Sequence, residues 1–275
     1  MNPTTRLIPT AVGALAVGTE GDGQPTVLWH SLFVDDSSWD AFAAPLTADR
    51  RLIRITGPDH GASEPTLQSF TNEDCASAAI DVLDALGITE RVDWVGNAWG
   101  GHVGVLVAAR RPERVRSLVL LGTPVAALTP AERRRTGLLV ALYRWLGPVK
   151  LIVSGASETL LSPGTRREQP EAVSYVEESL RTANRAALIN AIRSISLGRT
   201  DLSAELPRIA APTLVVTSAD HPGFTPAQAE AAARLLARGE VALLEGTAYL
   251  TPLEAPDQNA ATTSRVWSGA SSGVR

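Results

Sequence analysis

The segment Val95-Gly96-Asn97-Ala98-Trp99-Gly100-Gly101 has the spacing of a tight turn that presents one side chain for catalysis. It follows a strand-like run and opens a helix-like one, which is the setting that a Gly-x-nucleophile-x-Gly turn requires. Gly96 and Gly100 are needed there because larger side chains would collide with the adjoining strand and helix. The central residue is Ala98, whose methyl group cannot attack a carbonyl or displace a halide. The spacing of the turn therefore predicts the backbone of a catalytic site. The alanine excludes covalent catalysis at position 98.

Short strand-like runs alternate with helical patterns along the chain. The runs are rich in β-branched and aliphatic residues and bounded by Gly, Pro or polar residues. They cover residues 25–30, 51–55, 91–95, 115–121, 212–217 and 240–244. Helical periodicity covers residues 71–86, 98–109 and 226–236. This alternation predicts an α/β fold with a mostly parallel, doubly wound sheet and helices on both faces.

One region, from about residue 129 to 199, has helical periodicity and no strand pattern. It is broken at Gly147-Pro148 and Ser162-Pro163-Gly164, and Pro170 opens another helix. We interpret residues 125–199 as a helical cap inserted into a core of residues 1–124 and 200–267, followed by a frayed tail at 268–275. The pattern also fits helices that only pack against the sheet. A lid is favoured because the insertion leaves a strand at its C-terminal end, where open α/β sheets bind ligands.

The composition excludes several classes of function. The 25 basic and 29 acidic residues are spread along the 275-residue chain without a basic block, so no electrostatic footprint for nucleic acid is present. No apolar run approaches the ~20 residues that span a bilayer, and the N-terminus lacks a secretory signal. No metal-ligand spacing or nucleotide fingerprint occurs. We expect a soluble, cytoplasmic protein without metal or cofactor that binds a small molecule and no membrane, as a monomer or a homodimer.

Several segments together resemble the α/β-hydrolase superfamily, in the branch of epoxide hydrolases, haloalkane dehalogenases and lactonases. The turn around Ala98 resembles the nucleophile elbow, and His30-Ser31-Leu32 resembles the oxyanion loop. Residues 57–63 resemble the turn written G-x-G-x-S, and residues 249–256 the segment G-H-L-x-x-x-E-x-P. The resemblance extends from about residue 8 to 260. It implies the α/β-hydrolase fold with a helical cap.

The same resemblance shows that the catalytic triad is degenerate. The family's order is nucleophile, acid, histidine, so the histidine follows the last strand. The chain has no histidine after His221, and Tyr249 stands at the expected position. In the preferred register His221 occupies the acid position, and a shift by one residue would place Asp220 there. An inactivating change at Ala98 alone would leave the other two triad members, so we interpret this alanine as native.

The implied geometry brings the loops after residues 217 and 246 together above Ala98, so His221 and Tyr249 become neighbours. A histidine transfers protons near neutral pH, and a tyrosine hydroxyl is a better acid and hydrogen-bond donor than base. The pair is therefore a candidate for general acid–base catalysis. The alternative is that His221 stabilises its loop and Tyr249 fills the space of the missing imidazole.

The anion-binding part of the site uses backbone groups and does not depend on the side chain at position 98. By resemblance, the oxyanion hole consists of the N–H of Trp99 and that of Leu32 or Ser31. The remaining residues expected to bind substrate are Asn97, His30, Tyr143 and Trp145. Aromatic walls imply an apolar or aromatic ligand.

Three functions are compatible with these residues. The preferred one is an atypical enzyme that uses acid–base and oxyanion-type catalysis for isomerisation, cyclisation or elimination of a small polyketide-like or aromatic metabolite. The second is a non-catalytic relative that keeps the pocket as a receptor. The third is an ester or epoxide hydrolase in a disabled or unusual form.

Overall fold

The computed structural model describes residues 4–271, in which eight strands form one mostly parallel sheet. The strands are Thr4–Thr10 (β1), Gly13–Glu20 (β2), Gln24–Trp29 (β3), Arg50–Ile55 (β4), Val92–Asn97 (β5), Val115–Leu121 (β6), Thr213–Ser218 (β7) and Gly239–Leu244 (β8). Their order is β1-β2-β4-β3-β5-β6-β7-β8, and β3 to β8 are parallel to one another. The six strands of the sequence analysis correspond to these parallel strands.

Two further strands precede the parallel ones and were not predicted. β1 and β2 form an antiparallel hairpin, and β2 also pairs antiparallel with β4. Most side chains of β1 are exposed, so the strand lacks the apolar pattern of the buried ones. Gly13 begins β2 with a φ of 100°, which favours glycine. The hairpin extends the sheet on the side remote from the elbow turn.

Helices cover both faces of the sheet, as the alternation predicts. They are Asp40–Ala43 (α1), Asn72–Ala85 (α2), Trp99–Arg110 (α3), Pro130–Leu146 (α4), Lys150–Leu160 (α5), Pro163–Glu168 (α6), Pro170–Thr182 (α7), Arg185–Ala191 (α8), Pro226–Leu235 (α9), Thr251–Glu254 (α10) and Pro256–Ser271 (α11). The larger core cluster packs α2, α3 and α9 on one face, and the smaller one packs α1 and α11 on the other. In α2 the thiol of Cys75 is fully buried, which raises its pKa well above the ordinary value.

Residues 268–271 belong to α11, so the predicted frayed tail does not begin at residue 268. The helix that begins at Pro256 continues through these four residues. The rest of the predicted tail, residues 272–275, lies outside the described residues.

Helices α4 to α8 lie between β6 and β7, where the sequence analysis places the cap. A π-helical turn, Ile192–Leu197, follows α8 directly. The helices change direction at the predicted breaks, because α4 ends before Gly147, which has a φ of 72°, while Pro163 and Pro170 open α6 and α7. Pro at a first helical position costs no hydrogen bond. The insertion therefore leaves and re-enters the sheet at two neighbouring strands.

The buried carboxylate of Glu254 joins this insertion to the loop that follows β8. Its Oε1 accepts a hydrogen bond from the Ala248 N–H at 2.7 Å. Its Oε2 accepts from the Ser162 N–H at 2.7 Å and from the Thr165 hydroxyl at 3.0 Å. Burial raises the pKa of Glu254, and these hydrogen bonds oppose the shift. One side chain thus fixes α6 against the segment that carries Tyr249.

We expect Glu254→Gln to destabilise the protein by about 2 kcal/mol, because an amide NH₂ would face backbone or hydroxyl donors and leave them unsatisfied. Urea unfolding at neutral pH measures the change. The matched control is Glu168→Gln on the exposed end of α6, where the same substitution is expected to be neutral within about 0.5 kcal/mol. Equal stabilities of the two variants would contradict the role of Glu254.

Candidate active site

The turn between β5 and α3 has the geometry of a nucleophile elbow, although it presents a methyl group. Ala98 has a φ of 46° and a ψ of −99°, a conformation that residues with a side chain rarely adopt. A Cβ atom on Gly96 would overlap the backbone of Gly100, and one on Gly100 would overlap the carbonyl group of Trp29. These close contacts hold the turn in its strained form, which costs about 1–3 kcal/mol. Ala98 itself remains partly exposed.

Two backbone N–H groups beside Ala98 are free to bind an anion. The Gly100 N–H donates to the His30 carbonyl at 3.2 Å, which fixes the loop of Ser31 and Leu32 against the start of α3. Within residues 4–271, the N–H groups of Trp99 and Leu32 have no hydrogen-bond acceptor. Trp99 is the first residue of α3, where the helix dipole favours negative charge. Trp99 and Leu32 therefore each have an unused donor, as the predicted oxyanion hole would require.

His30 has a structural position in this loop. Its Nδ1 lies 2.7 Å from the Ser31 carbonyl, and its Nε2 accepts a hydrogen bond from the Gly57 N–H at 2.9 Å. The ring is fully buried, and burial lowers its pKa. Both ring nitrogens are therefore occupied by backbone groups. Ser31 beside it is buried as well.

His221 is buried in the loop after β7, whereas Asp220 is exposed. Which of the two stands at the acid position stays a prediction, and His221 is the one whose side chain lies inside the fold. The Gly223 N–H donates to His221 Nδ1 at 3.1 Å, so the ring proton lies on Nε2, against the backbone of Gly122. Burial lowers the pKa of His221 to about 4, and the ring is neutral at pH 7. In this tautomer Nδ1 is engaged by Gly223, and Nε2 carries the ring proton without a hydrogen-bond partner among the described residues, so the ring has no free lone pair for a substrate proton.

Tyr249 lies beside His221, as predicted, with ring centroids 4.3 Å apart. No hydrogen bond joins the two side chains in the described part of the chain. The hydroxyl lies against Gly223, where a Cβ atom would overlap it. Asn97 Nδ2 donates to the Tyr249 carbonyl at 2.9 Å and to the Leu121 carbonyl at 3.0 Å, which ties this loop to the elbow. Burial raises the pKa of Tyr249, so its hydroxyl stays protonated at neutral pH.

Arg199 adds a positive charge that sequence reasoning missed. It follows the π-helical turn and is half-buried, and its Nε is buried without a partner among the described residues. No carboxylate of that part of the chain lies within 4.0 Å of it. Its charge opposes the burial that raises the pKa of Tyr249, and it adds to the burial that lowers the pKa of His102 to about 3. The guanidinium group of Arg199 thus has no salt bridge in the described part of the chain, and its positive charge acts on the Tyr249 hydroxyl.

The two cap aromatics expected to bind substrate lie elsewhere. Tyr143 is buried inside the cap, where its hydroxyl donates to the Leu180 carbonyl at 3.3 Å. Trp145 is 83% exposed on the outer side of α4, so it does not form a wall of the site. Helical periodicity fixes the spacing of these residues and not the side of the helix that faces the core.

A cavity of about 330 Å³ lies between cap and core, and it is more polar than the predicted aromatic walls. Asp35, Asp59 and His60 line it from the core, and Tyr175 and Glu178 line it from α7. The Tyr175 hydroxyl donates to Asp35 Oδ1 at 2.8 Å. The elbow alanine and the side chains of the stacked tyrosine–histidine pair do not line this cavity.

Comparisons with known proteins agree with this geometry. The family model described as "Alpha/beta hydrolase family" matches residues 26–262. The chain belongs to the α/β-hydrolase family. It is 30% identical over 210 residues to a 2-hydroxy-6-oxononadienedioate/2-hydroxy-6-oxononatrienedioate hydrolase of Klebsiella pneumoniae, covering 71% of this chain and 70% of the relative. It is 28% identical to a cis-3-alkyl-4-alkyloxetan-2-one decarboxylase of Shewanella oneidensis, over 71% of this chain and 67% of that protein.

A solved structure of similar fold is a thermophilic esterase from Thermogutta terrifontis, determined with malate bound. The TM-score is 0.88 at 23% identity, over 97% of this α/β-hydrolase and 99% of the esterase. Among residues 4–271, no group of His, Cys, Asp and Glu side chains is placed to hold a metal ion. No helix of that range is long and apolar enough to cross a membrane.

Relief of the strained turn gives a first test of this α/β-hydrolase site. We expect Ala98→Gly to stabilise the protein by about 1 kcal/mol, because glycine adopts a positive φ without steric cost. The control is Ala231→Gly at an exposed position in the middle of α9, which is expected to destabilise by about 1 kcal/mol. Urea midpoints of the two variants measure the difference. A loss of stability in both would show that the turn is unstrained.

The buried histidines predict a pH dependence of stability. The folded-state pKa is about 4 for His60 and about 3 for His102, against 6.5 for the exposed side chain. As the pH falls from 6.5 to about 4, the unfolded chain binds protons that the folded protein excludes, so stability is lost. We expect His102→Gln to reduce the slope of unfolding free energy against pH in this window, measured by urea unfolding. Parallel curves for wild type and variant would contradict the assignment.

Proposed function

We propose that this α/β-hydrolase is an enzyme that converts a small carbonyl compound without a covalent intermediate. In this proposal the oxyanion binds to the N–H groups of Trp99 and Leu32, and Tyr249 supplies a proton. The observation that carries it is the elbow itself: Ala98 keeps the strained backbone of a nucleophile while the adjacent N–H groups have no other acceptor. Hydrogen-bond donors that need no rearrangement stabilise developing negative charge strongly.

Tyr249 is the proton donor of this proposal, and His221 positions it. The phenol is protonated at neutral pH because burial raises its pKa. The His221 ring packs against the tyrosine ring at 4.3 Å and is itself fixed by the Gly223 N–H. Arg199 provides a nearby positive charge that favours the phenolate formed when the proton leaves. Acid–base catalysis of this kind contributes typically about 10²–10⁴-fold to a rate.

The reaction class that fits these groups is the protonation of an enol or enolate at carbon. The enol oxygen loses its proton to water and binds as an oxyanion to Trp99 and Leu32. Tyr249 transfers its hydroxyl proton to the carbon, a C–H bond forms, and the phenolate regains a proton from water. The net change is an isomerisation of enol to ketone. An elimination or a retro-aldol step that releases an enolate would use the same groups.

Two features support a non-hydrolytic reaction on a small, apolar substrate. The relative from S. oneidensis is named as a decarboxylase of an oxetan-2-one, so the proteins to which this chain is similar are not confined to hydrolysis. The methyl group of Ala98 is apolar and partly exposed, which suits an apolar or aromatic metabolite above the elbow. A receptor without catalysis is the second candidate, favoured by the neutral, engaged state of His221.

The proposal is tested by the rate at which the enol of phenylpyruvate is converted to the ketone. The loss of enol absorbance measures this rate. We expect acceleration over buffer by the wild-type protein and a loss of about 10²-fold in Tyr249→Phe, because the proton donor is removed. The matched control is Tyr143→Phe, which removes a hydroxyl that is bonded to the Leu180 carbonyl inside the helical insertion. Saturable binding without any acceleration would favour the receptor. An equal rate for wild type and Tyr249→Phe would contradict the role of the tyrosine.

Restoration of the nucleophile separates this function from a disabled hydrolase. We expect Ala98→Ser to show no fast hydrolysis of p-nitrophenyl esters and no labelling by a fluorophosphonate, because no histidine activates the serine. The comparison is the triple variant Ala98→Ser, His221→Asp, Tyr249→His, which rebuilds the family's order. Robust hydrolysis by Ala98→Ser alone would show that the remaining site activates a serine and would support the hydrolase.

A further inference from the structure

The outer side of α4 and the turn that follows it carry an exposed apolar surface. Of the eleven large apolar side chains that are exposed in the described part of the chain, seven lie between residues 138 and 151. They are Leu138, Leu139, Leu142, Trp145, Leu146, Val149 and Leu151, named here the cap surface. Trp145 and Leu151 are 83% and 84% exposed. Such a concentration is rare on a monomer and marks an interaction site.

The helical geometry of α4 explains why this surface is separate from the fold's own packing. Val140 and Tyr143, three residues apart, are the buried apolar residues of α4 and face the cap interior. Leu138, Leu142 and Trp145 are spaced by four and three residues, so they form a second stripe on the opposite side. The helix is therefore apolar on both sides. The fold uses one stripe and leaves the other to solvent.

The charges around the cap surface have the opposite sign to the protein as a whole. Residues 130–151 contain four arginines and Lys150 against one glutamate, a net charge of +4 in a chain of net charge −4. All five basic side chains are exposed. The glutamate is engaged in the N-terminal cap of α4 through Thr129. Exposed tryptophan and leucine with flanking arginine and lysine characterise helices that lie in a membrane interface.

Two kinds of partner would cover an apolar surface of this type. In a symmetric dimer the same patch meets itself, so the arginines of one copy would face those of the other. An anionic bilayer instead offers negative headgroups to the basic residues and an apolar layer to Trp145 and Leu151. We propose that the cap surface docks on a lipid bilayer that contains anionic headgroups. This peripheral docking is distinct from membrane spanning and departs from the expectation, based on the absence of a spanning segment, that the protein binds no membrane. It does not depend on the proposed function of the elbow site.

Sedimentation of the full chain with lipid vesicles tests the proposal. The vesicles consist of phosphatidylcholine alone or of phosphatidylcholine mixed with phosphatidylglycerol, at low and at high salt. We expect at least about tenfold stronger partition onto the anionic vesicles at low salt, because the negative headgroups attract each basic residue near the surface. High salt is expected to weaken the binding, since it screens the charges.

The double variant Leu142→Ser, Trp145→Ser is expected to weaken the partition by at least about tenfold, because both side chains leave the acyl boundary. Leu243→Ser, at a residue of β8 that is 59% exposed, is the matched control and is expected to bind like wild type. Circular dichroism verifies that the variants are folded. No partition onto anionic vesicles, or equal loss in both variants, would overturn the proposal. A dimer in analytical ultracentrifugation that only the cap variant dissociates, without vesicle binding, would assign the surface to a second copy.

Discussion

The carboxylate of Glu254 is the contact on which the arrangement of the site depends. It accepts hydrogen bonds from the loop of Tyr249 on one oxygen and from the start of α6 on the other. The position of the tyrosine relative to the elbow is therefore coupled to the position of the cap. Ser162 strengthens this coupling through its hydroxyl, which donates to the Gly246 carbonyl at 2.7 Å. Separation of the cap from this loop would leave buried hydrogen-bonding groups around Glu254 without partners, which costs free energy. The cap and the site therefore move together.

The elbow holds a strained backbone around a side chain that cannot act as a nucleophile. Gly96 and Gly100 pack so closely on neighbouring backbone that the turn cannot relax when position 98 carries a methyl group. The free N–H groups beside it are thus a consequence of packing in the core. Arg199 and Tyr249 are close enough for the positive charge of the arginine to oppose the rise in the pKa of the tyrosine.

The sequence was sufficient for those parts of the fold that rest on local patterns. The parallel strands and the cap breaks at glycine and proline could be read from periodicity and turn residues. The β1–β2 hairpin could not, since its exposed side chains carry no apolar alternation. The sequence also could not predict whether Trp145 lies on the buried or the exposed side of α4, because both sides of that helix are apolar.

At the site, the family resemblance predicted that His221 and Tyr249 are neighbours, and their rings do pack together. It did not reveal that the Gly223 N–H occupies His221 Nδ1, because that bond depends on the conformation of one loop. Arg199 was missed for a related reason. It follows a π-helical turn, and a regular helical period cannot anticipate the extra residue that the turn contains.

The burial of the Cys75 thiol makes selective labelling of the cap possible. It is the chain's one cysteine, and its burial in α2 keeps it in the unreactive thiol form. A cysteine introduced on the cap would therefore be the sole site of attachment for a maleimide dye or a spin label. The spectrum of that single label would report any change in the surroundings of the helical insertion in the otherwise unaltered protein.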